Sequence, residues 1–195
     1  MKKKICEALV KANVVRFGEF TLVSGAKSPI YVDMRVLPSF PESFDTVTNE
    51  LAKLVKSLEH DVVAGIESAG IPLSTAVALK NKTPMIYIRK KPKDYGTKSR
   101  IEGFFKEGQK VVLIDDLITG GTSKIPSIEA LREQGAIVDD VAIILDRGQG
   151  GEDILFKNKV TLRSLVTLKD VLRYMVDEKH LSQEQYESVL KYLDG

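Results

Sequence analysis

In 111-VVLIDDLITGGTS-123 two adjacent acids follow directly on a run of aliphatics, and a turn of small, hydroxylated residues follows the acids. Buried strands rarely end in paired carboxylates unless a cation or a hydroxyl-rich ligand meets them there. Thr119, Thr122 and Ser123 offer hydroxyl donors, and Gly120 and Gly121 let a ligand approach the backbone of the turn closely. A turn feeding a helix N-terminus also presents several N–H groups and the positive end of the helix dipole, which suits phosphate. Asp115 and Asp116 would repel that phosphate, but they suit sugar hydroxyls or a magnesium ion on its far side. Phosphate at one end of a ligand and a carboxylate-bound diol at the other describe a ribose 5-phosphate. An ordinary strand, turn and helix would need Thr122 only as an N-cap and the glycines only for the turn, and would have no use for two consecutive acids.

A second stretch, 89-RKKPKDYG-96, places four cations within five positions beside a proline and a glycine. Such an arm suits a multiply charged anion, although runs of charge are often only solvated surface. The nucleotide P-loop G-x-x-x-x-G-K-[ST] and the dinucleotide fingerprint G-x-G-x-x-G are both absent from the chain.

The elements that must position these residues follow from periodicity. Ile5, Ala8, Leu9 and Ala12 predict an amphipathic helix over 4–15, and apolar residues every three or four positions predict another over 41–59. A short apolar run in 61–70 that breaks into a small-residue turn, and runs at 84–90, 110–116 and 138–146, read as strands. Helices from about Pro72 and from Thr122 to Gln134 lie between them, with Gly135 as a C-terminal stop. Near-continuous aliphatic strands alternating with helices predict a parallel sheet covered on both faces. Ligands of such sheets bind beyond the carboxyl ends of the strands, where Asp115 and Asp116 fall. A strand near 160–165 and helices over 168–179 and 181–194 complete the chain, the last with Ser182 and Gln185 as a capping pair.

With 195 residues, 43% of them hydrophobic, 29% charged and 7% aromatic, the chain is expected to form one domain. Its 29 basic and 27 acidic residues leave a net charge of +2, too small to indicate a nucleic-acid or membrane-surface protein. Cys6, the single cysteine, is expected in the core of the first helix. The basic start resembles a signal peptide, but Glu7, Lys11 and Arg16 interrupt the apolar region it would need. No run approaches the roughly 18 apolar residues of a membrane span, so a cytoplasmic protein is expected.

The stretch from Val111 to Ser123 resembles the 5-phosphoribosyl 1-pyrophosphate binding motif of the type I phosphoribosyltransferases. Within that class, residues 89–96 resemble the mobile catalytic loop of the orotate phosphoribosyltransferases. Arg89, Lys90 and Lys93 match, and Tyr95 stands where that family usually has His. The segment 20-FTLVSGAKSPIYVD-33 is similar to the family's N-terminal signature and 65-GIESAGIPL-73 to its pyrophosphate-side turn. The segment 145-LDRGQGG-151 is similar to the strand end that places an arginine at the orotate carboxylate. Val23 replaces a lysine of better-known bacterial members, and Ser68-Ala69 replaces a Tyr-Lys pair, which would make the pyrophosphate site less cationic.

The resemblance implies an α/β fold, with a central parallel sheet flanked by helices on both faces and a small hood from the N-terminal segment. Over 1–195 it implies a single phosphoribosyltransferase domain, with the helix and hood in 1–40, the core in 60–165, the basic loop at about 89–103 and C-terminal helices in 168–194. The implied reaction joins orotate to 5-phosphoribosyl 1-pyrophosphate. Leu117, Ile118, Thr119, Gly120, Gly121, Thr122 and Ser123 would cradle the 5-phosphate, with Asp115 and Asp116 on the ribose hydroxyls. Arg89, Lys90, Lys93 and Tyr95 would meet the pyrophosphate, Lys93 closing over the leaving group. Thr119 and Arg147 would bind orotate. Mg2+ would be bound mainly through the pyrophosphate, with no protein residue assigned as metal ligand. A homodimer with shared sites is implied, Lys93 acting on the partner's pocket, with no nucleic acid or membrane as partner. A purine phosphoribosyltransferase would share the motif without needing the carboxylate-binding arginine. A non-catalytic regulator that senses the same donor would usually carry an added DNA-binding segment.

Overall fold

The computed structural model describes residues 1–21, 25, 27–92 and 99–193, so Val23, Lys93 and Tyr95 lie outside the described residues. In chain order the elements begin with α1 (Lys2–Lys11), β1 (Val15–Thr21), β2 (Lys27–Val32), a 3-10 helix (Met34–Ser39) and α2 (Pro41–Lys56). There follow β3 (Val62–Ile66), α3 (Gly70–Asn81), β4 (Met85–Ile88), β5 (Ile101–Glu102) and β6 (Val111–Ile118). A 3-10 turn (Thr122–Lys124) leads into α4 (Ile125–Glu133), β7 (Asp140–Asp146), α5 (Gly151–Lys157), β8 (Thr161–Thr167), α6 (Leu168–Asp177) and α7 (Gln183–Leu193).

The chain divides into two units, Met1–Val47 with Val166–Gly195, and Thr48–Leu165. In the first, β1 and β2 pair antiparallel, and α1 packs on α6. α6 buries Leu168, Val171, Leu172 and Met175 at helical spacing. Its start is held by a capping box, in which Asp170 N–H donates to Thr167 Oγ1 at 3.1 Å and Thr167 N–H donates to Asp170 Oδ2 at 2.8 Å. The expected pairing at α7 is present, since Gln185 N–H donates to Ser182 Oγ and Ser182 N–H to Gln185 Oε1, both at 3.1 Å. α1 stops at Lys11, short of the predicted end, where Asn13 takes φ +51. Cys6 is buried on α1, and that burial pushes its thiol up to about 11.

The second unit is built on a six-stranded sheet of order β5-β4-β3-β6-β7-β8. β3 pairs parallel with β4 and β6, and β6 pairs parallel with β7, so the two predicted crossovers through α3 and α4 are present. Every residue of β3 is buried, as are Val111–Asp115 of β6 and Val141–Leu145 of β7, because helices cover both faces. Among the described residues no helix is long and apolar enough to cross a membrane.

The structure differs from expectation in particular places. β5, inside the stretch taken as a polar loop, is an edge strand that pairs antiparallel with β4 through Tyr87↔Glu102 and Ile88↔Ile101. α5 was not expected. α3 begins at Gly70, with Pro72 inside its first turn. β6 continues through both acids as far as Ile118, and α4 starts only after the 3-10 turn.

Candidate active site

From their shared position in the sheet, β3 leads through α3 to β4 on one side and β6 leads through α4 to β7 on the other. That reversal opens a crevice at the carboxyl ends of the two strands, the usual ligand position in open parallel sheets. The β3–β6 pairing ends at Gly65↔Ile114, whereas β6 and β7 continue through Asp115↔Ile143, Leu117↔Leu145 and Ile118↔Asp146. Asp115 and Asp116 therefore stand where β6 has lost one neighbour and kept the other. The turn after β3 closes on them. A Cβ added at Gly70 would lie 2.5 Å from Ile114 O and 3.4 Å from Asp115 Oδ1, so only glycine allows this approach. The 65–73 turn and the acidic pair, separate motifs in the sequence, thus form one locus.

Both Asp115 and Lys124 are only 6% exposed, and Lys124 Nζ donates to Asp115 Oδ2. A buried ammonium needs such a partner. Sequence reasoning missed Lys124, whose only signal was a basic residue directly after the hydroxylated turn. Asp116 is half-buried, and its Oδ1 accepts the Leu117 N–H at 2.7 Å. Burial, followed by repulsion from the Asp115 carboxylate, pushes Asp116 up to about 6, against the opposing effects of the Leu117 N–H and Lys124.

A carboxyl raised in the folded state favours folding while protonated. Its ionisation costs nothing below about pH 4, costs progressively more as the pH rises to about 6, and costs its full amount above that. Asp116→Asn is accordingly expected to stabilise the fold at pH 7 by on the order of 2 kcal/mol and to change little at pH 4. Urea midpoints at the two pH values measure this, and an equal effect at both would contradict it. In the free protein a carboxyl 13C titration should place the Asp116 midpoint near 6.

Thr122 and Ser123 are exposed, while Thr119 and Gly120 are half-buried. Thr122 is not a helix cap. Gly121 takes the N-cap position of the 3-10 turn and Lys124 that of α4, and neither end has a side-chain cap bond. A Cβ at Gly120 would meet nothing within 4 Å, so the turn is open on that side. Gly121 is different, having φ +78 and a would-be Cβ 2.8 Å from Gly151 O. Gly121→Ala is expected to cost about 2 kcal/mol through strain and backbone displacement, read as a lowered urea midpoint; an unchanged midpoint would show that the turn relaxes freely. The 145–151 segment lies against this turn, and Arg147 N–H donates to Ile118 O at 3.0 Å.

The basic stretch leaves β4 and returns at β5. Arg89 N–H donates to Arg100 O at 2.8 Å, Arg100 Nε donates to Arg89 O at 3.1 Å, and the Lys90 N–H donates to Glu67 Oε2 at 2.8 Å. Arg89 also forms an ion pair with Glu102 at 3.5 Å, and Lys90 is exposed. The arm is thereby tied at its neck to Glu67 in the turn after β3.

Residues 39–174 match the family model of the phosphoribosyl transferase domain. An orotate phosphoribosyltransferase of Methanocaldococcus jannaschii is 42% identical over 171 residues, covering 87% of this chain and 96% of that protein. The chain belongs to the orotate phosphoribosyltransferase family. Solved structures agree. The orotate phosphoribosyltransferase from Aeropyrum pernix matches with a TM-score of 0.80 at 34% identity, over 88% of this chain and 97% of that one. Leishmania donovani UMP synthase matches with a TM-score of 0.90 at 34% identity over 99% of this chain, which spans 42% of that synthase.

Within this family member, one unit brings together Asp115, Asp116, the Thr119–Ser123 turn and the Arg147 segment. The turn after β3 carries a cis peptide bond between Glu67 and Ser68.

Proposed function

We infer that this protein transfers the 5-phosphoribosyl group from 5-phosphoribosyl 1-pyrophosphate to orotate, yielding orotidine 5'-phosphate and pyrophosphate, a step of de novo UMP biosynthesis. The observation that carries this reading is the meeting of an acidic pair, an uncapped hydroxylated turn and the Arg147 segment at the carboxyl ends of β3 and β6. The turn from Leu117 to Ser123 would hold the 5-phosphate through backbone N–H groups and the Thr119, Thr122 and Ser123 hydroxyls. The acidic pair would face the ribose hydroxyls, and Arg147 would form a fork to the orotate carboxylate, with Thr119 beside it. Arg89, Lys90, Lys93 and Tyr95 would attend the pyrophosphate.

Displacement at the anomeric carbon passes through an oxocarbenium-like state and requires no covalent enzyme intermediate. The protein's contribution is positioning and charge stabilisation, with Lys93 drawn over the departing pyrophosphate. Among the described residues no group of three His, Cys, Asp or Glu side chains gathers to hold a metal. A magnesium ion bound chiefly by the donor's own pyrophosphate oxygens would screen their charge. The proposal extends to a cytoplasmic homodimer with shared sites, the 1–195 chain acting as one catalytic domain. Ultraviolet absorbance of orotate with the donor and magnesium, run beside adenine, guanine and uracil, tests the reaction. Consumption of orotate alone is expected; turnover of a purine and not of orotate would overturn the assignment.

A further inference from the structure

The acidic pair poses an electrostatic difficulty. Two adjacent carboxylates would face a donor that carries a phosphate at one end and a pyrophosphate at the other, and like charges at this range repel. The two acids are not in equivalent surroundings. Asp115 is 6% exposed, its Oδ2 accepts from Lys124 Nζ, and its Oδ1 lies 3.4 Å from where a Cβ on Gly70 would stand. Asp116, the next residue, is half-buried and keeps part of its surface open. Lys124 reaches Asp115 from the N-cap of α4, directly after the turn read as the phosphate cradle. One acid is thus enclosed between a cation and a glycine turn while its neighbour remains accessible.

We propose that Lys124 is a positioning residue for the phosphoribosyl donor. By compensating Asp115 through its Oδ2, it removes one net negative charge from the donor's approach while the acidic pair still offers oxygens to the ribose hydroxyls. The inference rests on the phosphoribosyltransferase reading of the site. It assigns Lys124 no direct contact with substrate: its influence passes through Asp115.

Isothermal titration with 5-phosphoribosyl 1-pyrophosphate and magnesium tests it, with thermal melts to confirm folding. Lys124→Met is expected to bind the donor at least fivefold more weakly than wild type, because Asp115 then stands uncompensated. Adding Asp115→Asn to Lys124→Met should bring back part of that affinity, since the uncompensated charge goes with it. A role confined to packing would lower the melting temperature of Lys124→Met without this rescue. A folded Lys124→Met protein that loses less than fivefold, or a double variant that binds no better than Lys124→Met, would overturn the proposal. If Lys124→Met alone does not fold, the double variant decides. Replacing both members of a buried pair is better tolerated than removing one. Donor affinity within tenfold of wild type then supports the proposal and a larger loss overturns it. Transfer to orotate by the wild type is read separately. A wild type that uses another base but shows this donor-binding pattern would defeat the orotate assignment and leave the role of Lys124 standing.

Discussion

An inactive Lys93→Ala protein mixed with an inactive Asp116→Asn protein is expected to regain activity approaching roughly a quarter of wild type, provided the subunits exchange. The figure follows from re-pairing. In the proposed shared-site homodimer, about half the dimers become hybrids, and each hybrid has one site with both an intact arm and an intact pocket. The described neck of the arm is closed by hydrogen bonds between Arg89 and Arg100. Absence of any recovery, with exchange confirmed by an independent label, would show that each arm serves its own pocket. Because residues 89–103 contain no histidine, the arm itself should add no pH step near 6.5 to turnover. A step near 6 that survives replacement of His60 and His180 and coincides with the midpoint of the Asp116 carboxyl 13C titration would belong to Asp116.

Arg147→Ala is expected to weaken orotate binding by about 2 kcal/mol, roughly thirtyfold, and donor binding by far less. The asymmetry has a structural basis. The backbone of Arg147 is bonded to Ile118 at the end of β6, so the substitution removes the guanidinium and leaves that bond in place. Only orotate brings a carboxylate for the guanidinium fork. Titration of each ligand separately measures the two losses, and equal losses would place Arg147 on the donor side or in a purely structural role.

These expectations draw on different depths of information. The aliphatic strands were legible because burial on both faces demands near-continuous apolar runs, as in Val62–Ile66 and Val141–Leu145. The hydroxylated turn was legible as a turn because its glycines and hydroxyls are contiguous and needed no knowledge of distant partners. The capping pair at Ser182 and Gln185 was legible for the same reason, both partners lying within one helical turn. Short elements escaped. β5 contributes only Ile101 and Glu102, and it exists because β4 offers an edge for them to pair with. α5 has seven residues and buries only Gly151 and Leu155, too few to set a period.

The local sequence also put two acids near the end of β6, but it could not tell them apart. Asp115 and Asp116 are the same residue type in consecutive positions, and only the fold seats one against Lys124 beneath the turn while leaving the other half-open and raised to about 6. Likewise 65-GIESAGIPL-73 announced a small-residue turn, whereas its closure on Ile114 and Asp115 depended on β3 ending where β6 runs on. Periodicity and motif chemistry are properties of neighbouring residues and survive in a linear reading. Burial, charge compensation and the pKa of a carboxylate are set by atoms brought near from elsewhere in the chain, and only tertiary packing supplies them.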